Sequence, residues 1–381
     1  MNLVWLKRDL RLHDHQALSQ AIATGKPLTL IYFFEPSVMQ APQYDIRHWR
    51  FVWQSLQDLD KNLHQLADNQ AQLLIFHAEV MPVLEALQQD SGISAIFSHQ
   101  ETGLKITYDR DKLVTAFCKK NKISWHEFQT NGVIRGLKNR ENWQKRWYEY
   151  MQEPLQQPDF QKLIHFEISP EFYQQHKGEP LPEAITEPNS DFQPGGETFA
   201  FKYLQSFTKQ RVANYSRHIS KPAQSRKSCS RLSPYIAWGC LSVRQVYQSQ
   251  QEAQQILGFS RQFQAFASRL RWHCHFIQKF EMEDRIESEN INRGYDSLIF
   301  EHSEAHFEAW KHGKTGFPLV DACMRCLQKT GYINFRMRAM VVSFLTHQLF
   351  EHWKAGADFL ATLFLDFEPG IHYPQFQMQA G

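Results

Sequence analysis

Five short apolar or β-branched runs in the first 128 positions, separated by segments of helical spacing, constrain this chain more than any other feature. The runs are LVWLK, TLIYFF, LLIFHA, AIFSH and SWHEF. Helical segments lie between them, from His15 to Ala23, Asp45 to Ala67, Met81 to Gln89 and Tyr108 to Lys120. Strand, helix, strand at these intervals predicts a parallel, doubly wound α/β sheet. No GxGxxG follows the first strand and no GxxxxGK[ST] loop occurs, which argues against a standard dinucleotide or nucleoside triphosphate binder.

The other end of the chain obeys a different period. Between Thr315 and Gln379, apolar residues recur at helical spacing in Leu319, Val320, Met324 and Leu327, and again in Met337, Met340, Val341, Phe344, Leu345 and Leu349. Two buried helices are expected. Arg336 and Arg338 fall inside the second apolar face, and Asp366 and Glu368 follow it. A buried guanidinium must find an anion, because an unpaired buried charge costs several kcal/mol. Asp366 is the expected partner of Arg338, either as a structural ion pair or as part of a site.

The length of 381 residues allows about two or three domains. A net charge of +2 is too small to argue for nucleic acid, so any such argument is local. From Lys202 to Arg231 there are eight Lys or Arg and no Asp or Glu, the footprint of a phosphate-binding surface, although a solvated loop has the same composition. Within it Arg217, Lys221, Arg226 and Lys227 are candidate DNA contacts. The stretch SCSRLSPYIAW then leads into a helix, where Ser228, Cys229, Ser230, Leu232 and Ser233 could form an anion site suited to a pyrophosphate.

Cys118, Cys229, Cys240, Cys274, Cys323 and Cys326 are scattered, and the CxxC of the last two sits mid-helix, where it reads as packing. His273 and His275 diverge on a helix and no HExxH occurs, so no metal site is expected. No signal peptide and no membrane-length apolar run is evident, and a soluble, cytoplasmic, monomeric protein is expected. Residues 131–195 are rich in proline and glutamine and read as an interdomain linker.

Several of these stretches carry a resemblance. TGFPLVDACMRCLQKTGYINFRMR, with the SFL after it, Trp353 and LDFE, resembles the flavin-binding core of photolyases and cryptochromes. WLKRDLRLHDHQAL near the start and GGETFAFKYLQSF from Gly195 resemble that family's other motifs, so the likeness covers nearly the whole chain. It implies an α/β antenna-type domain (1–130), a linker (131–195) and an all-helical FAD-binding domain (196–381) that stops at Gly381, where relatives continue through another helical segment. It also implies FAD, with a second antenna chromophore of folate or deazaflavin type at the strand ends or between domains.

By resemblance, Tyr215 and the Ser228 to Ser233 cluster hold FAD phosphates, Arg338 pairs with Asp366 beside the isoalloxazine, and Glu368 stands where an Asp is usual. His372 takes the place facing flavin N5, and an imidazole titrating near neutrality would make the redox state pH-dependent. The departures lie mostly in the lesion pocket. Trp272 is retained there, but Arg269 replaces an acid, His273 an Arg, Phe335 an Asn, Ala339 a Met and Met378 a stacking Trp. Of three tryptophans that relay electrons in the family only Trp353 matches, with Phe376 and Phe300 at the other places. The implied function is blue-light-driven repair of pyrimidine dimers in UV-damaged DNA by electron transfer from reduced flavin. The alternatives are a cryptochrome-like FAD photoreceptor or redox sensor, and a nucleic-acid-binding protein without flavin.

Overall fold

The computed structural model describes every residue except Asn69. Strands β1 (Asn2–Leu6), β2 (Leu28–Phe33), β3 (Leu73–Phe76), β4 (Ala95–His99) and β5 (Ser124–Phe128) form a parallel sheet in the order β3-β2-β1-β4-β5. Helices Gln16–Ala23, Ile46–Leu66, Val80–Asp90 and Lys105–Asn121 fill the crossovers. β1 and β2 are buried along their whole length, as strands covered on both faces must be, whereas the more polar SWHEF forms a partly exposed edge. The strand order reverses at β1, and in such sheets ligands favour the crevice at the carboxyl ends of the strands flanking that point. In this chain that crevice is bounded by Lys7 to Asp9 after β1 and Gln100 and Glu101 after β4.

Residues 131–195 include the Trp143–Gln152 helix and run back over the sheet. Phe166 N donates to Leu28 O at 2.8 Å and His77 N to Lys177 O at 2.7 Å. From Glu197 onward the chain is helical, and its core is continuous with that of the sheet. Trp238 packs beside Trp49, and its Nε1 donates to Leu365 O at 3.0 Å. His48 Nε2 donates to Phe364 O at 2.8 Å. Among the described residues no helix is long and apolar enough to cross a membrane.

The C-terminal helices differ from the expected pair in three respects. Pro318–Thr330 buries Val320, Met324 and Leu327, but Leu319 is 49% exposed, because the buried face ends at its neighbour. The second helix, Phe335–Ser343, stops early and widens into a π turn over Phe344–Gln348. Arg336 points to solvent, so the only guanidinium turned inward from this helix is that of Arg338.

Candidate functional site

A cavity of about 270 Å³ opens between the Cys229 to Ala237 segment and the Ser260–Met282, Phe335–Ser343 and Pro369–Ala380 helices. That volume is near the lower end for small-molecule sites, about 300 Å³. One wall is the corner between the Pro222–Ser228 and Ser233–Ala237 helices. Arg231 turns that corner with φ of 60°, a conformation uncommon outside glycine. Gln193 holds it there by bonding both the Arg231 Nε and the Arg231 carbonyl. The guanidinium lies 3.9 Å from the centre of the Tyr332 ring and has no carboxylate partner among the described residues. A half-buried cation of this kind, beside Ser230 and Ser233, is suited to an anionic ligand group. Arg231 escaped the sequence reading as a site residue because it ended a basic run; its place between Ser230 and Leu232 was the available signal.

Opposite, Arg338 meets Asp366, with Nη2 at 2.8 Å from Oδ2. Burial alone would raise the Asp366 carboxyl, but the Arg338 charge and hydrogen bonds from Arg338 and Ser233 hold it below the usual carboxylate range. The pair therefore stays ionised in the wall. Glu368 lies at the floor, 3.6 Å from Arg8 at the end of β1. Its Oε1 is buried without a protein partner, as is Arg8 Nη1. An orphaned carboxylate oxygen lining a cavity fits a ligand hydroxyl or N–H. Burial raises the Glu368 carboxyl, and the Arg8 charge only partly offsets this.

His372 lines the same cavity, but not as a group titrating near neutrality. Burial pulls its imidazole down to about 4, so it is neutral at physiological pH. Its Nε2 bonds Ala357 O at 2.8 Å, and a carbonyl can only accept. The proton is therefore on Nε2, and Nδ1 is an acceptor. The expected pH dependence of redox state through this residue is thus corrected by its desolvation. His273, also on the wall, is pulled to about 4 for the same reason.

At the mouth, Arg269 lies over two rings, 4.9 Å from Trp272 and 5.3 Å from Phe335. Trp272 is 41% exposed. Tyr215, Cys229, Ser230, Leu232 and Ser233 line the cavity, but Ser228 does not, because its hydroxyl turns back to Gln224 O. Trp353 is also outside the cavity; it is buried behind the wall with Nε1 on Asn290 Oδ1 at 2.7 Å. In the basic run, Arg217, Lys221 and Lys227 are exposed. Arg226 is different. Its guanidinium reaches Tyr332 O at 3.2 Å and Thr330 Oγ1 at 3.5 Å, so it ties two helical segments together and is not free for a phosphate.

The crevice at the strand ends is filled. Arg110 stacks on Trp5 at 4.9 Å and bridges Glu35, Glu101 and Asp111, while Lys7 reaches Asp111 at 3.2 Å. Burial lifts the Glu35 carboxyl to about 7 even with Arg110 beside it. The space left is about 40 Å³, room for water but not for a folate or deazaflavin, so these residues do not fit an antenna chromophore there. Nearby, Asp9, His15 and His99 form a buried cluster of metal-ligating types. His15 Nδ1 accepts from Leu18 N, which leaves its proton on Nε2, 3.2 Å from Asp9 Oδ2; that tautomer offers a cation no lone pair. The cluster is a buried carboxylate faced by two imidazoles, at 2.7 Å from His99 and 3.2 Å from His15.

A cavity lined by Arg231, Arg338, Asp366 and Glu368 in a helical layer, docked on a parallel doubly wound sheet, defines a two-part architecture with one ligand-sized site. Comparison with known proteins makes the class specific: residues 2–155 match the family model of DNA photolyase, and residues 266–381 match that of the FAD binding domain of DNA photolyase. The chain belongs to the photolyase/cryptochrome family. It is 28% identical to a deoxyribodipyrimidine photo-lyase of Alkalihalophilus pseudofirmus, over all of this chain and 80% of that protein. It is 27% identical to a cryptochrome DASH of Gloeobacter violaceus, over all of this chain and 79% of that protein. Its fold superposes on the crystal structure of a Synechocystis sp. PCC6803 cryptochrome with a TM-score of 0.84 at 23% identity, covering all of this chain and 82% of that one.

Proposed function

We propose that this chain is a blue-light-driven, FAD-dependent DNA photolyase that splits UV-induced pyrimidine dimers, acting as a cytoplasmic monomer. Reduced flavin, when bound and excited, supplies the electron that such a cleavage needs. The chain's own residues have separate tasks. Arg231, Ser230 and Ser233 take the pyrophosphate, Arg338 and Asp366 lie along the ring, and Glu368 takes a hydroxyl or ring N–H. The neutral His372 offers an acceptor to the ring edge.

The observation that carries the repair reading is the stack of Arg269 between Trp272 and Phe335 at the cavity mouth. An exposed aromatic flanked by a guanidinium is a platform for a base taken out of the duplex. Ile219 lines the cavity between the exposed Arg217 and Lys221, so phosphate-binding charge adjoins the mouth. The filled strand-end crevice supports a protein that takes no antenna chromophore at that place. A second reading, a cryptochrome-like photoreceptor, is favoured by the small Ala339 on the wall and the exposed Met378, where repairing relatives carry larger or stacking residues.

The test is an oligonucleotide with one defined cyclobutane dimer, incubated with purified protein under blue light and in darkness. Light-dependent restoration of the two pyrimidines is expected. A yellow, FAD-loaded protein that binds the oligonucleotide without restoring it would favour the photoreceptor, and a colourless one the flavin-free alternative.

A further inference from the structure

Tyr373 stands directly behind the cavity wall and is fully buried. Its ring centre is 5.5 Å from that of His372 and 6.4 Å from that of Phe367, both of which line the cavity. On its other side Trp353 meets it edge-on at 6.5 Å. Its hydroxyl donates to Asp358 Oδ1 at 3.1 Å. Asp358 is held by Lys354, whose Nζ is 2.5 and 2.6 Å from the two carboxylate oxygens, and its side chain is 31% exposed. Tyr373 thus has a contact toward the cavity, a base on its hydroxyl, a second oxidisable ring behind it, and a solvent-accessible exit for its proton.

We propose that Tyr373, with Asp358 as its proton acceptor, is the electron relay between the cavity and Trp353. This rests on the reading of the cavity as an FAD site. Tyr373 would give one electron to a bound oxidised flavin excited by light, while its phenolic proton moves from Oη to Asp358 and a neutral tyrosyl radical is left. Trp353 then returns an electron to Tyr373 while the proton returns from Asp358. The hole on the indole is refilled by an external one-electron donor such as a thiol. Trp353 borders a separate cavity of about 420 Å³ whose walls include the exposed Phe350 and Met378, so a small reductant can approach it from solvent.

Both halves of the first step are needed together. Burial keeps the phenol neutral beforehand, and an oxidised phenol is far more acidic than its parent, so oxidation requires a base in place. The other oxidisable rings on the cavity wall are less suited to carry a positive hole. Tyr332 has Arg231 at 3.9 Å and Arg338 at 5.8 Å from its ring, Trp272 has Arg269 at 4.9 Å, and Tyr215 has the same Arg269 charge beside its phenol. Lys354 lies 5.3 Å from the Tyr373 ring, but Asp358 matches its charge. Phe376 is on the wall and is much harder to oxidise.

The experiment is time-resolved absorption after a blue flash on purified wild type, Tyr373→Phe and Asp358→Asn, in light and heavy water, after the visible spectrum has established FAD content. A tyrosyl radical with a solvent isotope effect is expected in the wild type. Tyr373→Phe should lose the radical and Asp358→Asn the isotope effect, each with slower photoreduction and FAD retained. Unchanged photoreduction in FAD-loaded Tyr373→Phe, or a tryptophan radical that forms first in the wild type, would overturn the relay while leaving the FAD reading intact. A wild type that retains no flavin would overturn both.

Discussion

Arg338 holds Asp366 through a single nitrogen, with Nη2 at 3.0 and 2.8 Å from the two carboxylate oxygens, while its Nε bonds the Ile333 carbonyl. The guanidinium also lies 4.0 Å from the centre of the Phe364 ring. The cation is therefore fixed in orientation by its own helix entry and by the loop before the last helix, and the cavity wall depends on both.

Arg338→Leu should leave a folded protein that purifies without flavin. Stability should fall by about 3 kcal/mol, the lower end for breaking a buried pair, since Arg338 keeps 25% of its side-chain surface exposed. Flavin absorbance after gel filtration and a urea titration followed by circular dichroism check both parts. Stoichiometric FAD in the variant would remove Arg338 from the site.

Neutralising Arg217, Lys221 and Lys227 should weaken DNA binding regardless of sequence. Each lost phosphate contact should flatten the salt dependence by about 0.9 in the log–log slope. Arg226→Ala should instead lower stability and leave that slope nearly unchanged, because its guanidinium bonds Tyr332 O and Thr330. Binding isotherms at several salt concentrations separate the two effects.

Stability should fall as pH drops from about 6.5 to 4. Burial lowers His48, His99, His273 and His372 to about 4, so in this window the unfolded chain binds protons at these sites that the folded protein refuses. Glu35, raised to about 7, works in the opposite direction, as does Glu368, and each cancels part of the effect. Each net proton contributes about 1.4 kcal/mol per pH unit. Urea midpoints at steps of pH, read in wild type and in Glu35→Gln to remove the opposing carboxyl, would give the slope, and a flat profile in Glu35→Gln would count against neutral imidazoles in the folded state.

Phe376→Trp should speed photoreduction of bound FAD, because it places an oxidisable ring on the cavity wall itself. The same change should restore photoreduction to Tyr373→Phe. The bleaching rate under blue light with external thiol, measured in the single and double variants, provides the check.

The sheet was legible because its strands are short apolar runs between turn residues, and a parallel sheet demands such runs. Arg338 with Asp366 was legible because an inward cation in an apolar face has few solutions. Arg336, two residues away, obeys the same pattern yet points to solvent, since the helix turns by 200° between them and only one can face the cavity. The π turn after Ser343 carries no sequence signal, since its residues FLTHQ include neither proline nor glycine. The neutrality of His372 comes from its burial under distant elements, and the diversion of Arg226 from Tyr332 and Thr330 more than a hundred positions on; periodicity reports neither. The filled crevice is of the same kind, because Glu35, Glu101 and Arg110 meet only once three strands and a helix are assembled.

Arg8 and its partners have a consequence for how the molecule is made. The guanidinium donates to Phe367 O across 359 positions of chain and lies beside Glu368, while Trp238 covers it at 4.7 Å. A ribosome adds Arg8 to the chain 359 residues before Phe367. Domains tend to fold as units, the N-terminal one first, during synthesis. The nascent sheet must therefore wait with the Arg8 cation at its rim and without Glu368 until residues 367 and 368 have been added, and a nascent chain arrested before residue 366 would present that charge to water or to a chaperone.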